Sequence, residues 1–354
     1  MAGGSSARRN LVVTLVAGVF VALAVLGVTG GLGRDDQGPD PARQPDEQWN
    51  LALVGAPDAW ATTTGEGVVI AVVDSGVDSR HPDLRDRLVG SIDCVGADGD
   101  PDRCRAGGDT DTDGHGTHVA GIAVADADNG RGVAGVAPDA RLLSIRALVP
   151  VPCERRPCGA TGRAGDVAAG VRWAVAEGAD VVNLSLGAAA TGSDDLVAAI
   201  DEADAAGVAV VAAGPSGRAG DDVIPSPAVI VTAVDQRRVL APYARGTGSA
   251  TTALAAPGGD ERAATDDGCD GDHAVRSDLP VPGGEADASG CLVGTSMAAP
   301  HVSGAIALLV ASGLSPREAV ERLVATATDL GATGPDDRYG AGLIDIPAAL
   351  DDED

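Results

Sequence analysis

The chain has 354 residues, 44% of them hydrophobic but only 2% aromatic, and a formal net charge of −27 at pH 7. That length supports one large domain with a short extra segment rather than two full domains. The acidity, with arginine as the only strongly basic residue type present, argues against nucleic acid as a partner because phosphates are repelled. A core this poor in aromatics must be built from Ala, Val, Leu and Ile, which suits a parallel sheet buried on both faces.

At the N-terminus Arg8 and Arg9 precede an uncharged stretch from Asn10 to Gly33, of which Leu11 to Val28 is almost wholly apolar. This reads as an export signal over residues 1–33, so that the rest of the chain is extracytoplasmic, secreted or anchored to the membrane. The apolar run is about the length of a membrane-spanning helix. Val28-Thr29-Gly30 offers a cleavage point, so removal and retention as an anchor both stay open. Residues 34–48, rich in Asp, Pro and Gln, read as a linker. The folded domain is expected over residues 49–350, with an acidic tail at 351–354.

From Trp49 onward strand and helix patterns alternate, which predicts an α/β fold with a mainly parallel sheet and helices on both faces. Val68 to Val73 is a β-branched run that ends at Asp74, placing this carboxylate at a strand's carboxyl end, where open α/β sheets carry their sites. Helix is expected after His115. Further strands are expected over Arg141 to Leu148, Val181 to Leu186, Val208 to Ala213 and Val229 to Val234. Helices are expected over Asp166 to Glu177, over Asp194 to Ala206 and from near Ser296. Ser315-Pro316-Arg317-Glu318 combines capping-box spacing with proline at the first helical position, so a C-terminal helix starts there.

Six cysteines in an exported chain read as disulfides. Their grouping suggests Cys94 with Cys104, Cys153 with Cys158 and Cys269 with Cys291, one of about fifteen possible pairings. None of the pairs has Cys-x-x-Cys spacing, which disfavours zinc.

Three segments carry the chemistry: Val72-Val73-Asp74-Ser75-Gly76, His115-Gly116-Thr117-His118-Val119-Ala120-Gly121 and Gly294-Thr295-Ser296-Met297-Ala298-Ala299-Pro300. They supply an acid, a base and a nucleophile. Ser296 precedes an Ala-rich helical run, so its backbone N–H would point at a developing oxyanion from a helix N-terminus. His115 would take the serine proton and return it to the leaving amine, while Asp74 would fix the imidazole tautomer. Other clusters carry less. Asp109-Thr110-Asp111-Thr112-Asp113-Gly114 lacks the Glu that an EF-hand needs at its twelfth position, and reads as a solvated acidic loop near the substrate groove. His115 and His118 lack the Glu of the metalloprotease motif.

The order Asp, His, Ser and the three segments resemble the subtilisin-like serine peptidases. So do Asp78-Ser79-Arg80-His81-Pro82-Asp83-Leu84, Gly132-Val133-Ala134-Gly135-Val136-Ala137-Pro138 and Asn183-Leu184-Ser185-Leu186-Gly187. The resemblance runs from Trp49 to Leu350 and implies a serine endopeptidase acting on polypeptide substrates. It implies that Ser185, Leu186 and Gly187, with Gly214, line the substrate groove and pair with the substrate backbone as an added strand. It also implies a structural calcium combining Asp78 with the loop Asp126-Ala127-Asp128-Asn129-Gly130, in which Asp128 and Asn129 are the candidate ligands; a solvated acidic turn is the alternative.

One departure is plain. Where the family carries an oxyanion-stabilising asparagine after Ala-Ala-Gly, this chain has Pro215, which offers neither a side-chain nor a backbone donor. A neighbour such as Ser216 substitutes, the enzyme is slow and specialised, or the fold serves mainly as a scaffold. The export signal, the short linker and Gly135-Val136-Ala137-Pro138-Asp139-Ala140-Arg141 are similar to the mycosin subgroup associated with type VII secretion, which implies a membrane secretion complex as a partner for the scaffold alternative.

Overall fold

The computed structural model describes residues 48–151, 159–186, 193–217, 227–248, 250–260, 273–281 and 288–351, with the backbone of 12–14, 264–265 and 268–269. In chain order the elements are β1 (Val12–Thr14), α1 (Trp49–Val54), α2 (Ala56–Ala59), β2 (Val69–Asp74), β3 (Leu88–Asp93), α3 (His115–Val124), β4 (Arg141–Arg146), β5 (Leu148–Pro150) and β6 (Ala160–Arg163). There follow α4 (Ala164–Ala176), β7 (Val181–Leu184), α5 (Asp194–Ala205), β8 (Ala209–Ala213), β9 (Val229–Val234), β10 (Ala253–Pro257), β11 (Ala264–Thr265) and β12 (Gly268–Cys269). The last are β13 (Val275–Asp278), β14 (Ser289–Leu292), α6 (Thr295–Ala311), α7 (Pro316–Thr326) and α8 (Ile346–Leu350).

The seven-stranded sheet has the order β10-β9-β8-β7-β2-β4-β3 and every pairing in it is parallel. Alternation along its strands feeds two cores. Ile70 and Val72 of β2 and Val211 of β8 face one cluster with α3 and α6, whereas Ala71, Val73 and Val210 face the other with α4 and α5. The helices therefore cover both faces, as the strand-helix alternation predicts. Leu88–Asp93 and the Ala-rich Ala253–Pro257 had no strand signature of their own: one has an imperfect, largely half-exposed pattern and the other lacks β-branched residues.

The chain enters the sheet at β2, passes outward to β3 and β4 on one side, and returns to β7 on the other. The carboxyl ends of β2 and β7 thus flank the point where the winding changes direction, the place where open α/β sheets form crevices. β13 and β14 form a separate antiparallel hairpin just before α6. The capping box at α7 forms as read: Ser315 Oγ accepts the Glu318 N–H, and Glu318 reaches back to the Ser315 N–H.

Cys94 and Cys104 are joined by a disulfide, and Cys291 is also half of one. Cys153 and Cys158 lie outside the described residues. Of the N-terminal apolar run only Val12–Thr14 is described, as backbone paired antiparallel to β6. Among the described residues no single helix is long and apolar enough to cross a membrane.

Candidate active site

Asp74 is the last residue of β2 and fully buried. His115 opens α3, and its Nδ1 lies 2.8 Å from Asp74 Oδ1 and 2.9 Å from Oδ2. A carboxylate can only accept, so this nitrogen carries the proton and Nε2 is the free base position in the neutral ring. Close approach is what makes the pair. A Cβ at Gly116 would collide with the Gly76 carbonyl oxygen, so only glycine lets the first turn of α3 reach the end of β2.

The loop before α3 is organised by Asp111. Its Oδ1 accepts the N–H groups of Asp113 and Gly114 and the Ser75 hydroxyl, and its Oδ2 accepts the N–H and hydroxyl of Thr117. Asp111 therefore caps the helix from three residues before Gly114, which has no side chain to do so. Asp109, Thr110 and Thr112 are exposed, as the reading of a solvated loop expects, but Asp111 departs from it: it is 8% exposed and satisfied by five donors.

Charge around His115 follows from this crowding. Burial disfavours the imidazolium, but the charge and hydrogen bond of Asp74, with the charges of Asp113 and Asp111, outweigh it and push His115 up to about 9. Asp113 is itself raised to about 6, chiefly by burial and despite the nearby His115. His118 points elsewhere: its Nε2 lies 3.3 Å from the Gly290 carbonyl of the β13–β14 hairpin, and burial holds it down at about 3.

Ser296 is the second residue of α6, where first-turn backbone N–H groups have no intrahelical acceptor. The Gly294 N–H donates to the Gly258 carbonyl at the end of β10, fixing the entry to this helix. Ser185 follows β7 directly, and Gly214 and Pro215 follow β8. Because β8, β7 and β2 are neighbours in the sheet, Asp74, Ser185 and Gly214 stand side by side along its carboxyl edge. The Ser296 hydroxyl donates to the Ser185 carbonyl at 3.2 Å, and the Ser185 hydroxyl donates to the Ser296 carbonyl at 2.7 Å. Leu186 is buried beside them, while Gly187 lies outside the described residues.

The residues read from the sequence as calcium ligands, Asp78, Asp128 and Asn129, are not brought together around one point. Asp78 is buried, and its carboxylate accepts Nε, Nη2 and the backbone N–H of Arg80 together with the Val281 N–H. Burial opposes its charge, but these donors hold its carboxyl below the usual range. Its lone pairs serve Arg80 and the segment after β13 rather than the loop after α3. Asn129 instead donates to Asp83 at 2.8 Å, Val133 donates its N–H to the same carboxylate, and Asp128 is exposed. Among the described residues, His81, Asp83 and Asp278 form a buried group whose ligand-type atoms lie within 4.8 Å of one another. Asp83 was visible within the Asp78 to Leu84 segment, whereas no local spacing could bring Asp278 to it.

Residues 65–342 match the subtilase family, Peptidase_S8. Thermitase of Thermoactinomyces vulgaris is 34% identical over 292 residues, covering 81% of this chain and 90% of the relative. Subtilisin BL of Lederbergia lenta is 38% identical over 312 residues, covering 85% of this chain and 97% of the relative. A solved protease structure from Pseudoalteromonas arctica PAMC 21717 superimposes with a TM-score of 0.69 at 29% identity, covering 88% of this chain and 99% of that one. The chain belongs to the subtilase family. Its class is that of the subtilisin-like serine endopeptidases.

Proposed function

We propose that this chain is an exported endopeptidase that hydrolyses polypeptides through an acyl-enzyme on Ser296, slowly for its family because Pro215 stands at the oxyanion position. The observation that carries the reading is the Asp74 carboxylate holding His115 Nδ1 at 2.8 and 2.9 Å, beside the helix on which Ser296 is the second residue.

Ser296 Oγ attacks the substrate carbonyl carbon while His115 Nε2 takes its proton, and Asp74 stabilises the imidazolium that forms. The tetrahedral adduct collapses as the C–N bond breaks and the imidazolium gives its proton to the leaving amine. Water, deprotonated by the same nitrogen, then cleaves the Ser296 ester. The Ser296 N–H stabilises the oxyanion from the start of α6. Pro215 contributes no donor, and in subtilisin itself the loss of the corresponding donor costs about 10²–10³ in kcat. The segment at Ser185 and Leu186, with Gly214 on the neighbouring strand, would receive the substrate backbone as an added strand. A structural calcium would be held through Asp83 and Asp278, whose buried carboxylates supply the hard oxygen donors that calcium prefers. It would neutralise their charge and take no part in the chemistry.

The test uses the full chain beside its Ser296→Ala variant, treated with a fluorophosphonate probe and then a peptide library. Labelling and cleavage that both require Ser296 are expected. A folded protein that does neither would overturn the peptidase reading and favour a scaffold.

A further inference from the structure

α6 contains an internal proline, Pro300. Proline has no N–H, so the carbonyl four residues earlier loses its helical partner. That carbonyl belongs to Ser296, and the Ser185 hydroxyl occupies it at 2.7 Å. The Ser185 hydroxyl in turn accepts Asn183 Nδ2 at 2.9 Å, and Asn183 Oδ1 accepts the Ser303 hydroxyl at 2.9 Å. Asn183, Ser185 and Ser303 are all fully buried. Asn183 and Ser185 are two apart at the end of β7 and share a face, and Ser303 is seven residues from Ser296 and shares its side of α6. The hydrogen bonds therefore leave α6 at Ser303, cross the strand end and return to α6 at Ser296.

We propose that Asn183 and Ser303 are positioning residues for Ser296. They fix the Ser185 hydroxyl on the carbonyl that Pro300 leaves open, and so lock the start of α6 to the segment that receives substrate. In the resting state the Ser296 hydroxyl donates to the Ser185 carbonyl. To engage His115 it must leave that carbonyl. With the backbone held at both ends of the chain of bonds, the motion open to the hydroxyl is rotation between staggered side-chain positions. The inference rests on Ser296 being the nucleophile.

The experiment compares the full chain with Ser303→Ala, Ser303→Thr and Asn183→Ala, at a temperature well below the Tm of each. The rate of fluorophosphonate labelling and the kcat and KM for a peptide are measured. The same substitutions are also made in a Ser296→Cys background, where iodoacetamide alkylation is followed against pH. Loss of one hydrogen bond should slow labelling and kcat about 5-fold in Ser303→Ala, leave KM unchanged and move the alkylation limb to higher pH. Ser303→Thr should restore all three. A merely structural role would lower Tm without moving the limb. Folded Ser303→Ala with unchanged labelling, kcat and limb overturns the proposal, and this holds even where Asn183→Ala fails to fold. If the parent neither labels nor cleaves while the thiol limb still shifts, the peptidase reading fails and the nucleophile role with it, whereas the orientation of residue 296 by these bonds stands.

Discussion

The Pro215 carbonyl accepts the Arg245 backbone N–H at 3.0 Å, so the segment proposed to lack an oxyanion donor is pinned from its carbonyl side. Ser216 bridges Ala244 and the Gly217 N–H donates to Tyr243, which extends the same pinning. None of these bonds needs the proline ring. Asparagine at position 215 can therefore keep the backbone path and add a side-chain donor. Pro215→Asn should raise kcat by about 10²-fold with little change in KM, as measured with a chromogenic peptide under saturating conditions. No gain would mean that another donor already serves the oxyanion.

The raised pKa of His115 sets the direction of the pH profile. As a base it works only when neutral, and a pKa of about 9 keeps it largely charged at neutral pH. kcat/KM should therefore climb through the alkaline range toward a plateau above pH 9. Asp113 is ionised above about pH 6 and adds to that shift, so Asp113→Asn should move the limb to lower pH. A wild-type limb below pH 6.5 would contradict this electrostatic account.

The sequence carried those parts of the fold and of the site that depend on local pattern. The β-branched run ending at Asp74, the helix opening at His115 and the proline-led capping box at Ser315 all stand where their residue types predict. What escaped it depends on side chains meeting across the fold. Asp78 was read as a calcium ligand because no local pattern shows Arg80 folding back so that its guanidinium takes that carboxylate. Asp111 was obscured because glycine occupies the cap position that it serves. The bond from Ser303 to Asn183 spans 120 positions and has no signature in either segment.

Acid stability should depend on His301. Its Nδ1 lies 2.8 Å from the Met297 carbonyl, and its Nε2 lies 2.9 Å from Asn50 Nδ2, which can only donate. The ring is thus built to be neutral, and burial holds it down at about 4. The unfolded chain, with a His pKa near 6.5, binds the proton that the folded state refuses. Stability from this residue is present above pH 6.5 and is lost as pH falls toward 4. His301→Gln should be the less stable protein at pH 7.5, with the gap to wild type narrowing steadily on acidification to pH 4 in urea unfolding. A gap independent of pH would show that His301 titrates alike in both states.

Two aspartates can be separated by their response to calcium. Asp83 is buried with His81 and Asp278 and gathers Asn129 and Val133 from the loop after α3, whereas Asp78 is closed off by Arg80. Burial pushes the Asp83 carboxyl up, so a cation beside it relieves an unfavourable charge. Millimolar calcium should raise the Tm of the full chain and EDTA should reverse this, by linkage to the folded state alone. Asp83→Asn should abolish the calcium response. Asp78→Ala removes the carboxylate that accepts the Arg80 and Val281 donors, so it should lower Tm with and without calcium while leaving the calcium-induced increment in place. An increment lost in Asp78→Ala and kept in Asp83→Asn would return the site to the residue that the sequence first suggested.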